Sequence, residues 1–174
     1  IIAMSGKKTI VLDLDLRKPK VHLGFDATND QGMSNLIVNQ IALEEAIQKS
    51  KFNNLDFITA GPIPPNPSEL ILSPRMEELI NKLKEQFDYI IIDSPPIGLV
   101  TDASILMRFT DSNIYVIRNN YSTKDSVKYV AELYNSGKIK NMSLLMNDVV
   151  RKDGYNYGYS YGHGYGYGYY SEDL

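Results

Sequence analysis

The segment Thr9-Ile-Val-Leu-Asp13 is a short apolar run that ends in an aspartate. Its β-branched residues, uninterrupted by polar ones, are typical of a strand buried on both faces of a parallel sheet. Tyr89-Ile-Ile-Ile-Asp93 repeats this pattern and is the strongest strand signal in the chain. Because ligands of such sheets bind where the strands end, both aspartates are candidates for a functional site.

The remaining apolar patterns alternate between strands and helices. Further strands are predicted at residues 55–58, 113–118 and 142–146, and helices at 33–49, from Pro74 with Ser73 as its cap, from about Asp102, and after the cap Thr123. This alternation predicts an α/β fold with a doubly wound, mostly parallel sheet covered on both faces. The opening Ile1-Ile-Ala-Met-Ser-Gly6 resembles the last turn of a helix with Gly6 as its C-cap, so we expect sequence upstream of it.

Composition excludes several classes of function. The 174 residues are 43% hydrophobic and carry a formal charge of −3, which offers no basic field for nucleic acid. There is no cysteine, so disulfides, thiolate metal sites and cysteine nucleophiles are excluded. No apolar run has the length of a membrane span, and we expect the chain itself to be soluble. His22 and His163 lack metal-ligand spacing and are interpreted as isolated side chains.

The C-terminal segment has a different composition from the rest. Residues 1–150 are predicted to form one domain, and residues 151–174 a flexible tail rich in glycine and tyrosine. Eight of the thirteen tyrosines lie in this tail, at Tyr155, Tyr157, Tyr159, Tyr161, Tyr165, Tyr167, Tyr169 and Tyr170. Such a tail presents phenol hydroxyls to solvent, and we interpret it as a substrate or an adhesive element.

Three carboxylates are expected at one edge of the sheet. Asp13 and Asp15 follow the first strand, and Asp93 ends the strand at 89–93. Their mutual repulsion would make ionisation costly, and a magnesium ion would remove that cost. Each aspartate alone is equally well explained as a loop or cap residue, but two such motifs on separate strands favour a metal site.

An apolar strand ending in aspartate resembles the Walker B element of P-loop nucleotidases. Ile10-Val-Leu-Asp-Leu-Asp-Leu-Arg17 resembles the Walker A′ element of the bacterial tyrosine kinases that regulate capsule and exopolysaccharide export. The resemblance continues in Pro64-Pro-Asn-Pro-Ser-Glu-Leu70, in Asp93-Ser-Pro-Pro, in Thr101-Asp-Ala103 and in the tyrosine cluster. It implies a P-loop nucleotidase fold of the MinD/ParA-like type, ATP and Mg²⁺ as cofactors, and autophosphorylation of the tail tyrosines.

The resemblance also implies roles for individual residues. Asp93 and Asp15 would hold magnesium, and Asp13 or Asp15 would accept the tyrosine proton, with Asp13 favoured. Arg17 would contact phosphate, although an arginine after a strand is more often a partner for a nearby acid. Asp102 would brace the metal site or, as the commoner alternative, cap its helix. Asn147 would contact the adenine ring, by analogy with related folds.

The implied partners follow from the same resemblance. They are other copies of the chain in a ring-like oligomer phosphorylated in trans, a membrane-spanning adaptor fused upstream or separate, and a protein-tyrosine phosphatase. The adaptor would place the protein at the cytoplasmic face of the bacterial inner membrane.

One departure from the family pattern concerns the phosphate-binding loop. The chain contains no G-x-x-x-x-G-K-[ST], and Ser5-Gly-Lys-Lys8 does not fit it, so we expect these residues alone to bind ATP poorly. Two alternatives to a kinase therefore stay open. One is a MinD/ParA-like ATPase switch, and the other is a non-catalytic interaction module with an adhesive tail.

Overall fold

The fold is known from a computed structural model that describes residues 1–98, 101–137, 139 and 141–149. The strands are β1 Thr9–Asp13, β2 Gln48–Lys49, β3 Leu55–Ile58, β4 Tyr89–Asp93, β5 Asn113–Arg118 and β6 Met142–Asn147. The helices are α1 Val21–Gly24, α2 Met33–Ile37, α3 Leu43–Ala46, α4 Pro67–Leu72, α5 Pro74–Gln86, α6 Asp102–Leu106 and α7 Lys124–Asn135, with short 3-10 helices at Ala3–Ser5 and Met107–Phe109. Among the described helices, none is long and apolar enough to cross a membrane.

The described strands form two sheets. The larger has the order β2-β3-β1-β4, in which β1 runs parallel to β3 and β4, and only the short β2 is antiparallel. The smaller pairs β5 with β6 in parallel. The prediction of an α/β fold with a mostly parallel sheet is confirmed. Its central strand is β1, in which Ile10 and Leu12 are fully buried.

Strands β4 and β5 are less buried than their apolar sequences predicted. In β4, Tyr89 is 46% and Ile91 40% exposed, and in β5, Ile114 is 67% exposed. Among the described residues, β4 pairs only with β1 and β5 only with β6, so each has one open edge. The expectation of complete cover on both faces is therefore wrong for these two strands, because the exposed residues of each lie on one face and alternate with half-buried residues on the other.

Helix α5 supplies one wall of the core. Met76, Leu79, Ile80 and Leu83 form its buried face, as their spacing predicted. Pro74 occupies the first turn, also as predicted. Ser73 is the N-cap residue as predicted, but its hydroxyl donates to the Leu70 carbonyl at 2.7 Å instead of accepting a helix N–H.

The other helix predictions had mixed outcomes. The Thr123 hydroxyl accepts the Ser126 N–H at 3.1 Å and caps α7 as predicted. Gly6 ends the 3-10 helix in the left-handed region, with φ 85°, which also agrees with the prediction. The single broken helix predicted at 33–49 is instead α2, α3 and β2, because Asn39 takes a left-handed φ of 59° between the two helices.

Gly32 lies where the start of α2 meets the end of β3. The Met33 N–H donates to the Thr59 carbonyl at 2.8 Å, which brings the two backbones together. A Cβ at position 32 would overlap the Thr59 carbonyl oxygen and lie 2.6 Å from its carbon. The φ of 177° is open to any residue, so close approach alone requires glycine here.

Gly32→Ala is therefore expected to destabilise the fold by about 3 kcal/mol, since two backbone segments would have to separate. The measurement is urea unfolding of the two proteins. The matched control is Gly24→Ala in α1, where an added Cβ meets nothing within 4 Å, and we expect a change below about 1 kcal/mol. Equal midpoints for all three proteins would contradict the prediction.

Candidate functional site

The carboxyl ends of β1 and β4 lie side by side. Asp13 and Asp93 are partners in the parallel register, and the Leu14 N–H extends the pairing by donating to the Asp93 carbonyl at 2.9 Å. Asp15 follows two residues after β1 and acts electrostatically on Asp93. The fold thus brings the three predicted carboxylates to one edge of the sheet.

The Asp13 carboxylate is held by the loop that follows β1. The residue is fully buried, and its oxygens accept the backbone N–H groups of Asp15 at 3.3 Å and of Val21 at 3.0 Å. Burial is the largest influence on its pKa and raises it, and the charge of Asp93 raises it further. The backbone hydrogen bonds oppose this, but the pKa of Asp13 remains above its ordinary value.

Asp15 and Asp93 are more accessible than Asp13. Asp15 is half-buried, and one of its oxygens accepts the N–H groups of Arg17 at 3.2 Å and Lys18 at 3.0 Å. Asp93 is exposed, yet partial desolvation by its surroundings raises its pKa, and the charge of Asp15 adds to this. A cation between the two would relieve that repulsion.

The donor set fits a magnesium ion that is completed by other ligands. Within the described ranges, no group of three acidic or histidine side chains is arranged to enclose a metal. Magnesium in nucleotide sites is usually held by one or two carboxylates, with water and phosphate oxygens filling its other positions. Asp15 and Asp93 are the two accessible carboxylates at this edge and are the residues that could hold it.

Arg17 forms an ion pair that crosses the fold. Its Nε donates to Asp102 Oδ2 at 2.7 Å, and its Nη2 lies 3.4 Å from Asp102 Oδ1. Burial alone would raise the pKa of the fully buried Asp102, but hydrogen bonds from Arg17 and Ser68 outweigh it and lower the pKa. Of the two roles weighed for Asp102, the capping one is wrong, because its carboxylate binds Arg17 and Ser68.

Ser68, in α4, was not singled out from the sequence. Its hydroxyl donates to Asp102 Oδ1 at 2.5 Å and accepts from Arg17 Nη2 at 3.0 Å. The sequence feature that could have pointed to Ser68 is its position within the motif Pro64-Pro-Asn-Pro-Ser-Glu-Leu70.

The remaining predicted residues lie elsewhere. Asn147 is exposed at the end of β6, where its side-chain oxygen accepts the Asp148 N–H at 2.9 Å. The Nδ1 atom of His22 is buried and has no hydrogen-bond partner in the described part of the chain. His163 and the eight tail tyrosines lie outside the described residues.

Comparison with known proteins identifies a matching family model and relatives of this chain. A family model described as an AAA domain matches residues 1–146. The putative tyrosine-protein kinase CapB of Staphylococcus aureus is 38% identical over 157 residues, which are 89% of this chain and 69% of CapB. The tyrosine-protein kinase YwqD of Bacillus subtilis is 37% identical over 147 residues, which are 84% of this chain and 62% of YwqD.

Solved structures agree with these relatives. The kinase domain of the Escherichia coli tyrosine kinase ETK superposes with a TM-score of 0.81 at 30% identity, covering 94% of this chain and 64% of that domain. The cell-division ATPase MinD of Pyrococcus furiosus shares the fold, with a TM-score of 0.67, 22% identity, and coverage of 87% of this chain and 64% of MinD. The chain spans about two thirds of its first relatives and 22% of the tyrosine-protein kinase etk of E. coli.

Proposed function

This chain belongs to the family of bacterial tyrosine-protein kinases, and we propose that it takes part in transferring phosphate from ATP to tyrosine. The observation that carries the proposal is the pairing of Asp13 with Asp93 in the register of β1 and β4, with Asp15 beside them. Phosphoryl transfer depends mainly on positioning and on neutralising charge, which such a cluster can provide once a metal–nucleotide is bound.

The metal-binding role falls to Asp93 and Asp15. Both are accessible, and burial together with the charge of Asp15 raises the cost of ionising Asp93, so a divalent cation between them would be stabilising. Bound magnesium would neutralise charge on the phosphate oxygens during transfer. The chain's own contribution is to orient Asp15 by the backbone N–H groups of Arg17 and Lys18, and Asp93 by its place at the end of β4.

The proton-accepting role falls to Asp13. Its raised pKa makes it a stronger base than an ordinary aspartate, which favours removal of a phenol proton as the phosphoryl group arrives. Asp13 is fully buried, and its 3.3 Å hydrogen bond from the Asp15 N–H is the longer of its two. Asp13 Oδ1 accepts this longer bond, and we expect the phenol to reach Oδ1 when the loop after β1 adjusts to substrate.

The other parts of the proposal concern residues farther from the three carboxylates. Asn147 is proposed to contact the adenine ring from the end of β6. Residues 1–150 are proposed as the kinase domain and 151–174 as the tail that it phosphorylates. The chain has no G-x-x-x-x-G-K-[ST] segment, so the proposal is limited to the metal-binding and proton-accepting part of the site.

In the cell we propose that copies of the protein assemble in a ring and phosphorylate one another's tails, thereby regulating capsular or exopolysaccharide export. A membrane-spanning adaptor, fused or separate, would hold the ring at the cytoplasmic face of the inner membrane, and a tyrosine phosphatase would reverse the modification. The motifs shared with the family and the names of the relatives support this proposal.

The test is mass spectrometry of the intact gene product that contains this chain, after incubation with ATP and Mg²⁺. We expect successive additions of about 80 Da, one for each phosphoryl group, that map to residues 155–170. Asp13→Asn should lower the rate of labelling by about 10²-fold or more, since a positioned base is lost. ATP consumption without labelling would instead favour a MinD/ParA-like switch, and neither reaction would favour an adhesive module.

A further inference from the structure

We propose that Arg17, Ser68 and Asp102 act as positioning residues that set the spacing between Asp15 and Asp93. This inference rests on the proposed function, because it concerns the geometry of the same metal site. We call the three side chains the Arg17 clamp. They come from the loop after β1, from α4 and from α6, which are separate elements.

The clamp is a closed ring of hydrogen bonds. Arg17 donates to both oxygens of Asp102, at 2.7 and 3.4 Å, and to the Ser68 hydroxyl at 3.0 Å. Ser68 closes the ring by donating to Asp102 at 2.5 Å. Because the Asp102 side chain is only 1% exposed, its charge must be satisfied by these partners. The position of the guanidinium is therefore tightly specified.

The clamp is connected to the first side of the metal site through Arg17 itself. The backbone N–H of Arg17 donates to Asp15 Oδ1 at 3.2 Å, while its side chain is fixed on Asp102. One residue thus joins the carboxylate of Asp15 to α6. Leu14 and Leu16, which flank Asp15, are buried and limit the freedom of the loop further.

The clamp is connected to the second side of the site through Asp102. This residue begins α6, nine positions after Asp93 at the end of β4. Ser68 joins the same carboxylate to α4, which packs against α6. The clamp therefore links the loop that carries Asp15 to α4 and to α6, the next helix along the chain after Asp93. Carboxylates that share a cation need a defined separation, and partners of the ligands supply it.

The alternative is that Arg17 and Asp102 form an ion pair that only stabilises the fold. The affinity for Mg²⁺ distinguishes that structural role from the positioning role. The measurement is the Mg²⁺ concentration that gives half-maximal binding of a fluorescent ADP to the intact protein. Ser68→Ala removes the hydroxyl that bonds to both Arg17 and Asp102 without changing any charge. Arg17→Lys keeps the positive charge but loses the planar guanidinium that can donate to both partners. We expect both to raise the Mg²⁺ midpoint about tenfold, with ADP affinity in EDTA unchanged.

Stability is measured on the same proteins by urea unfolding. The matched control is Arg75→Lys, whose ion pair with Glu78 at 3.0 Å lies within α5 and joins no separate elements, and it should leave the Mg²⁺ midpoint unchanged. If Arg17→Lys fails to fold, the neutral pair Arg17→Met with Asp102→Asn removes both charges together and should still raise the midpoint. A lower unfolding midpoint with unaltered Mg²⁺ dependence would overturn the inference.

The readout also separates this inference from the proposed function. Nucleotide binding requires no phosphoryl transfer, so a protein that never labelled tyrosine would refute the kinase proposal and still report on the clamp. Absence of any Mg²⁺ dependence in the unsubstituted protein would overturn the inference directly.

Discussion

Under the proposed function, Asp93→Asn is expected to lower the rate of tyrosine phosphorylation by roughly 10³-fold, because the accessible carboxylate at the end of β4 is lost from the proposed metal site. The same change should leave the fold at least as stable as before at pH 7. Both effects have one origin, since the charge that suits the metal is partly desolvated and also repelled by Asp15. Labelling with radioactive ATP and urea unfolding measure the two effects separately.

The direction of the stability effect follows from the raised pKa of Asp93. A carboxyl group whose pKa is higher in the folded state favours folding while it is protonated, and this contribution is lost as pH rises through the folded pKa. At pH 7 the charge therefore opposes folding slightly, and the asparagine removes that opposition. The difference between the two proteins should shrink as pH falls towards about 4, the ordinary pKa of aspartate.

The control is Asp88→Asn at the opposite end of the same strand region. Asp88 accepts the Lys8 N–H at 2.8 Å, which an asparagine oxygen can also do, and it is remote from the carboxylate cluster. We expect normal phosphorylation from this variant. A protein with Asp93→Asn that still labels at the normal rate would exclude Asp93 from the metal site.

Replacing the eight tail tyrosines together with phenylalanine is expected to abolish most phosphorylation. Each phosphate adds about −1.5 to −2 charges near pH 7, so full modification would add about −12 to −16 to a chain of −3. The substituted protein should therefore lose both the label and the large mobility shift on native electrophoresis. Its ATP and Mg²⁺ binding should remain, since the carboxylate cluster is untouched.

The matched control for the tail is Tyr121→Phe, because Tyr121 is 77% exposed in the described domain. If exposed tyrosines were labelled without selection, this control would lose label too, and the tail variant would keep part of it. Full labelling of the eightfold phenylalanine variant would remove the tail from the proposal.

Mixing the two variants tests transfer between subunits. The Asp93→Asn protein keeps its tyrosines but lacks the metal ligand, whereas the phenylalanine variant keeps the metal site but lacks acceptors. Label on the Asp93→Asn protein in the mixture would show transfer in trans, and label on neither would confine the reaction to one chain.

The strand ends were predictable from sequence because the signal is local. Asp13 and Asp93 each close a run of apolar residues, and parallel pairing places such ends together. The partners of Arg17 were not predictable in this way. Asp102 and Ser68 lie 85 and 51 residues from it along the chain, and no periodicity or spacing encodes a contact over such distances.

Burial was predicted correctly for β1 but not for one face of β4. The apolar composition of β1 and β4 is similar, yet β1 lies between β3 and β4 and is buried, whereas β4 ends the sheet of the described residues. Composition shows which residues of a strand can be buried, whereas the elements that pack on each face of the sheet decide which residues are covered. The hydrogen bond of the Ser73 hydroxyl was also not predictable from the pattern of its own helix, since its acceptor, the Leu70 carbonyl, belongs to the preceding helix.

Within the described residues, the edge of β4 that faces away from β1 is unpaired, and this bears on aggregation. An unpaired edge can recruit a strand from another molecule, and Tyr89-Ile-Ile-Ile92 contains no proline, glycine or charge to prevent it. Asp88 and Asp93 flank this run, and charges in such positions are expected to oppose aggregation. Under the proposed function Asp93 would have two uses, as a ligand of the metal and as a charge beside the edge of β4, so Asp93→Asn is expected to increase aggregation as well as to lower activity.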